Sequence, residues 1–360
     1  MINNSLLQTK KIIKIVSINL ILIVVILSLV EGLSSILLMF YKISKVQPRP
    51  ETRHTQYDEL LGWVNIPNVD IPNMYGEGIY FQTNSQSFRN KEDFSVNIPP
   101  NKVRIVCSGD SVTMGWGVSN NQSWCHLLSS INQRLQTINM AQGGYGVDQA
   151  YLWYKRDGTK FEHNIQIFAF ITHDFLRMQN ANFTGYGKPL LSLENGELVN
   201  HNFPVPRGSF LAPKITQGSR YIQELRFLGL WKKLFPIKLE TDNKYVVQTP
   251  AIAIKIFEEL AEINQAKNSK LVVVYLPSRS DYYKNDSDSW RQYLQTELQK
   301  RNIIYIDLIA EFRDKMPNEQ LEKAFLGGNW HYSVSGNQFI ANILYEKLLS
   351  LPEVAVILQQ

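Results

Sequence analysis

The stretch "IVCSGDSVTMGWGV", Ile105 to Val118, decides how the chain is read. Apolar and small residues run unbroken to Gly109, as in a strand buried on both faces, and the run then breaks into Asp110-Ser111, a threonine and two further glycines. A strand of this kind belongs to a parallel sheet, and ligands collect at the carboxyl edge of such a sheet. Two readings of Ser111 are open at this point. It caps a short helix, as serines after strands commonly do, or it is held at that edge to do chemistry.

Working outward, the same pattern recurs. "KVRIVCSG", "TINMAQGG", "IQIFAFITH", "KLVVVYLPS" and "IIYIDLI" read as strands, and "SWCHLLSSINQRLQ", "IKIFEELAEINQAKN", "WRQYLQTELQKRN" and "VSGNQFIANILYEKLLS" read as the helices between and after them. Continuously apolar strands alternating with helices predict an α/β fold: a three-layer α/β/α sandwich around a mostly parallel five-stranded sheet. This domain is expected over residues 101–350. The rhythm lapses at about 180–249, which reads as an insertion, a hairpin and then a helix in "YIQELRFLGLWKKLF" that lines or lids a cleft. Residues 42–100, rich in Pro and Asn, read as a lead-in without long helices.

The N-terminus is of another kind. After a short segment, residues 1–14, "IVSINLILIVVILSLVEGLSSILLM" carries one charge, Glu31, and the span 15–41 is long enough to cross the ~30 Å hydrocarbon layer of a membrane. No Ala-x-Ala-like cleavage site follows it, so an uncleaved single-pass anchor is expected. Lysines flank both ends, and the positive-inside rule does not choose between orientations; the long C-terminal part is expected outside the cytoplasm, periplasmic or at the cell surface, because long domains translocate largely regardless of charge. The net charge of +5 is scattered, without the basic stripe of a nucleic-acid footprint, and nucleic acid is set aside. Two cysteines make no disulfide framework and no metal site is read. Cys107, inside the apolar run, reads as a small core residue rather than as half of a bridge to Cys125.

Four groups fall at the carboxyl ends of the strands or before the last helix: Gly109-Asp110-Ser111, Gly143-Gly144-Tyr145-Gly146, His173-Asp174 and Asn329-Trp330-His331. A serine, glycine amides, a donor and a histidine on one edge are the inventory for acyl transfer through a nucleophilic serine. "GDSVTMGWGV", "NMAQGGYGVDQ", "HDF" and "WHYSVSGNQFIA" resemble, in order, the blocks of the SGNH, or GDSL, hydrolases, and the lead-in "YDELLGWVNIP" with "TNSQSFR" is similar to bacterial membrane-anchored members. The resemblance covers roughly residues 56–350. It implies Ser111 as nucleophile, His331 as general base, and an oxyanion hole from the Ser111 and Gly144 amides at the N-terminus of the helix that follows.

Two positions depart from the family pattern. Where its third block carries an Asn donor, this chain has His173, which the resemblance places in the oxyanion hole. Where its last block carries an Asp three residues before the His, this chain has Gly328. Asn329, or Asp307 at the end of "YID", is then the candidate to orient the imidazole. The implied activity is a serine esterase cleaving an O-acetyl or short acyl ester, needing no cofactor, on a small-molecule or glycan substrate. Two alternatives stand beside it: an O-acyltransferase that modifies envelope glycans with the same site, and a degenerate member that binds an acylated glycan or a protein without turnover. The oligomeric state is not legible from sequence.

Overall fold

A computed structural model of the chain describes residues 2–44, 53–210, 225 and 243–359. The chain divides into two compact units, one of residues 1–48 and 211–241 and one of residues 49–210 and 242–360. In the first, helix α1 runs from Ile2 to Ser44. Its stretch from Lys10 is long and apolar enough to cross a membrane, and it contains the expected span 15–41.

The second unit is built on five strands: β1 (Val103–Gly109), β2 (Leu135–Ala141), β3 (Ile165–Phe170), β4 (Lys270–Tyr275) and β5 (Ile304–Asp307). They lie in the order β2-β1-β3-β4-β5, and every pairing is parallel. All residues of β1 and β3 are buried. That two-sided burial explains why they read as continuous apolar runs rather than as alternating ones. The helices used below are α2 (Ser111–Met114), α3 (Trp124–Ile131), α4 (Val147–Arg156), α5 (Thr172–Arg177), α6 (Asn243–Ala266), α7 (Asp288–Lys300), α8 (Leu308–Lys315) and α9 (Val334–Ser350), and further ones span Asn318–Leu321 and Pro352–Gln359.

Successive strand residues face opposite layers. Val106, Phe168, Phe170 and Val273 pack with Trp153 and Tyr154 of α4, Phe257 and Leu260 of α6 and Leu294 of α7. Ile105, Ile167, Val272 and Val274 pack on the other side with Trp124 and Leu128 of α3, Phe312 of α8 and Ile340 and Leu344 of α9. The fold is therefore an α/β/α sandwich, and its strand order reverses between β1 and β3. Chain leaving those two strands diverges there and opens a crevice.

Two sequence expectations change. Cys107 is not a free core thiol: it is bonded to Cys125 of α3, pinning that helix to β1. The helix expected to run to Gln136 ends at Ile131, because Asn132 turns extended and Leu135 to Gln136 join β2 beside Val103 and Arg104. Within 180–249 a hairpin pairs Leu191–Glu194 with Glu197–Asn200; the helix expected in "YIQELRFLGLWKKLF" lies outside the described residues apart from position 225.

Candidate active site

Chain leaving β1 turns sharply into α2, and the turn is specified by Gly109 and Asp110. A Cβ on Gly109 would stand 2.4 Å from Thr113 Oγ1 and 2.5 Å from the Ala169 carbonyl oxygen of β3, so only glycine lets the strand end lie this close to its neighbour. Asp110 caps α2 by accepting from the Val112 N–H at 2.9 Å. Ser111 is thereby fixed as the first residue of the helix. The loop beyond is held by Arg89, a fully buried lead-in residue that donates to the carbonyls of Met114, Gly115 and Val118. Because α2 has only four residues, its dipole adds little at that point.

His331 comes from the far end of the chain. A bridge between Phe325 and Tyr332 and the bond from the Leu326 N–H to the His331 carbonyl at 2.9 Å set its backbone just ahead of α9, which Ser333 caps. Its imidazole stacks on Trp116 with centroids 4.5 Å apart. The result is a hydrogen bond of 2.9 Å between Ser111 Oγ and His331 Nε2 across 220 positions of sequence. With its ring proton on Nδ1, the imidazole accepts from the serine hydroxyl, as a general base must.

Gly144 follows β2 at φ +79°, in the left-handed region. Its turn is clamped from the lead-in hairpin, Thr55–Asp58 with Gly62–Asn65: Trp63 Nε1 donates to the Gly143 carbonyl at 2.9 Å and Tyr145 Oη donates to the Trp63 carbonyl. Ser111, Gly143, Gly144 and His331 together line a cavity of about 210 Å³ whose walls include Trp63, Trp116, Phe183, Tyr186 and Trp330. A cavity of about 150 Å³ already takes a benzene-sized ligand, so this one has room for a small molecule.

The other sequence candidates lie elsewhere. His173, on the first turn of α5, packs its ring against Trp330 at 5.2 Å and is not among the residues lining the cavity. Partial burial, followed by the nearby Arg177 charge, holds its pKa below the ordinary value. Asn329 is turned toward Ser280, accepting from its N–H at 2.7 Å and donating to its hydroxyl at 3.0 Å. Asp307 caps α8 through the Ile309 N–H and pairs with Arg291. A cap position at the end of an edge strand gives this carboxylate local work, and neither residue is placed on the imidazole.

Sequence reasoning missed Arg177, Trp63 and the stacking role of Trp116. Arg177 lines the cavity and binds both buried carboxylates of the crevice, Asp110 at 3.1 Å and Asp174 at 2.5 Å. Burial, reinforced by Asp110, pushes the Asp174 carboxyl well above the usual range, as expected for two acids sharing one guanidinium. The signal was present in the sequence: Arg177 stands four residues after His173, one helical turn along the same face.

A comparison with models of known protein families and with curated proteins finds no match. Among solved structures, the chain is similar to a member of the lipolytic G-D-S-L family from Veillonella parvula (13% identity, TM-score 0.40, covering 68% of this chain and 97% of that one). It is also similar to a G-D-S-L family lipolytic protein from Desulfitobacterium hafniense (13%, TM-score 0.38, 68% and 99%). A third is Axe2, an acetylxylan esterase from Geobacillus stearothermophilus (10%, TM-score 0.41, 70% and 94%). The chain's own fold is an α/β/α sandwich on the parallel β2-β1-β3-β4-β5 sheet, with Gly-Asp-Ser leaving β1 and His331 just ahead of α9.

Proposed function

We propose that this protein is a membrane-anchored ester hydrolase of the SGNH type that acts through an acyl-serine intermediate. The observation that carries the reading is the 2.9 Å contact between Ser111 Oγ and His331 Nε2 inside a cavity beside the Gly144 turn. In the first half-reaction Oγ attacks the ester carbonyl carbon and His331 Nε2 takes the hydroxyl proton. The carbonyl π pair moves onto oxygen, where backbone amides of Ser111 and Gly144 receive it. Collapse breaks the bond to the alcohol oxygen, and the imidazolium returns its proton to that leaving group. Water repeats the sequence on the acyl enzyme and releases the acid.

Cavity size supports an acetyl or other short acyl group. Helix α1 supports a membrane anchor, and the bond between Cys107 and Cys125 supports a domain on the oxidising side of the membrane. The indole faces of Trp63, Trp116 and Trp330 around Ser111 favour one further reading, in which a glycan hydroxyl replaces water as acceptor. Product analysis with and without a glycan acceptor separates the two. The central test uses the full-length chain in detergent: Ser111→Ala abolishes turnover of a short-chain aryl ester and covalent labelling by a serine-directed phosphonate. Turnover or labelling at wild-type rates in that variant overturns the proposal.

A further inference from the structure

We propose that Arg177 is the third oxyanion donor of this site, its guanidinium taking the place that a side-chain amide would hold after β3. The inference rests on the acyl-serine reading above and adds a residue to it. Arg177 lines the same cavity as Ser111, Gly144 and His331. It sits on α5 one turn beyond His173, whose own ring is packed against Trp330.

The hydrogen-bond inventory of the guanidinium points the same way. Its bonds are all made by one nitrogen: Nη1 donates to Asp110 Oδ2 at 3.1 Å, Asp174 Oδ1 at 2.5 Å and the Tyr145 carbonyl at 2.8 Å. Nε is buried and has no acceptor among the described residues, and Nη2 makes no hydrogen bond to them either. A buried N–H without an acceptor is costly, and each such group in a native structure calls for an explanation, a catalytic role being one. Fixed at Nη1 and packed over the Phe183 ring at 5.2 Å, the planar fork keeps its remaining N–H groups in one orientation.

Reach is set by a shared oxygen. Asp110 Oδ2 lies 3.3 Å from Ser111 Oγ and 3.1 Å from Arg177 Nη1, so the guanidinium stands one bridging atom from the nucleophile. A carbonyl carbon bonded to Oγ carries its oxyanion into the space between Oγ and the surrounding donors. The local charge explains why a transition state is served rather than an anionic substrate. Arg177 is already bonded to the carboxyl groups of Asp110 and Asp174, which tempers its pull on any full anion in the ground state. Burial works against the guanidinium's charge, but Asp174 and Asp110 outweigh it and keep the side chain cationic. Its unused N–H groups gain most when negative charge develops on an otherwise neutral ester.

The experiment compares full-length wild type, Ser111→Ala, Arg177→Lys, Asp174→Asn and the double variant Arg177→Lys/Asp174→Asn on a neutral short-chain aryl ester, reading kcat and KM separately together with Tm. Arg177→Lys is expected to lower kcat by about 100-fold with KM within about threefold, the pattern of an interaction made only in the transition state. Loss of the fork unbalances the carboxylate pair and lowers Tm. The double variant relieves that imbalance, so its Tm returns toward wild type while kcat stays low. If kcat recovers with Tm in the double variant, or if Arg177→Lys keeps wild-type kcat, Arg177 only supports the crevice and the assignment fails. Should wild type itself show no turnover that depends on Ser111, the acyl-serine reading fails instead, and the two failures are told apart in one assay.

Discussion

Replacing Gly144 by alanine tests the geometry of the glycine turn and the role assigned to its amide together. The new Cβ would lie 2.6 Å and 2.9 Å from two carbons of the Phe183 ring and 3.4 Å from Trp63, on a backbone at φ +79°. The left-handed conformation costs a residue with a Cβ about 1–2 kcal/mol. Overpacking against a fixed ring adds about 1–3 kcal/mol. A midpoint of about 3.5 kcal/mol lowers Tm by roughly 7–14 °C for a domain of this size. Relief of the clash also rotates the peptide that carries the Gly144 N–H, and losing one oxyanion donor costs about 100-fold or more in kcat. The neighbouring Gly143→Ala is the control. Its Cβ would meet only Met114 Cε at an ordinary 3.6 Å, so its Tm stays within about 2 °C of wild type, in the range of mild substitutions. Differential scanning fluorimetry and steady-state hydrolysis of an aryl ester read both effects. If Gly144→Ala matches Gly143→Ala in Tm and retains kcat within about threefold of wild type, the turn is not held as described and its amide does not serve the oxyanion.

Two further outcomes are expected. The bond between Cys107 and Cys125 closes a loop with a sequence separation of 18, and constraint of the unfolded chain by a loop of that length contributes about 3 kcal/mol. Reduction with dithiothreitol, or Cys107→Ser/Cys125→Ser, lowers Tm by roughly 6–12 °C; an unchanged Tm would show that the bridge does not stabilise the fold. His54 is fully buried, bonds Asn65 through Nδ1 at 3.1 Å and has its pKa pushed down to about 4, chiefly by burial. Because the folded state disfavours its cation, its stability contribution is whole above pH 6.5 and is lost as pH falls toward 4, by up to roughly 3 kcal/mol. Urea titrations at pH 7 and pH 5 detect this slope, and His54→Phe flattens it; an equal slope in the variant assigns the acid sensitivity to other groups.

What the sequence determined by itself is what local chemistry encodes. Strands β1 and β3, buried on both faces, are visible as unbroken apolar runs, and the alternation with helices fixes the layers, because a strand that shows no polar face must be covered on both sides. Ser111, Gly144 and His331 are legible because each follows or precedes an element boundary that the pattern marks. The long apolar helix at the N-terminus is equally local in origin. Tertiary structure decided the rest. The meeting of Ser111 with His331 depends on β1 and α9 packing on one sheet, and no local signal sets a distance across 220 residues. Cys107 shows its limit plainly: an apolar strand position suits a free thiol as well as a bridged one, and only the packing of α3 on β1 brings Cys125 to it. The same holds in the crevice. Periodicity places His173 and Arg177 on one helical face, but whether the imidazole or the guanidinium reaches the cavity depends on Trp330, Phe183 and Asp110, contributed by other segments, together with Asp174 of the same helix.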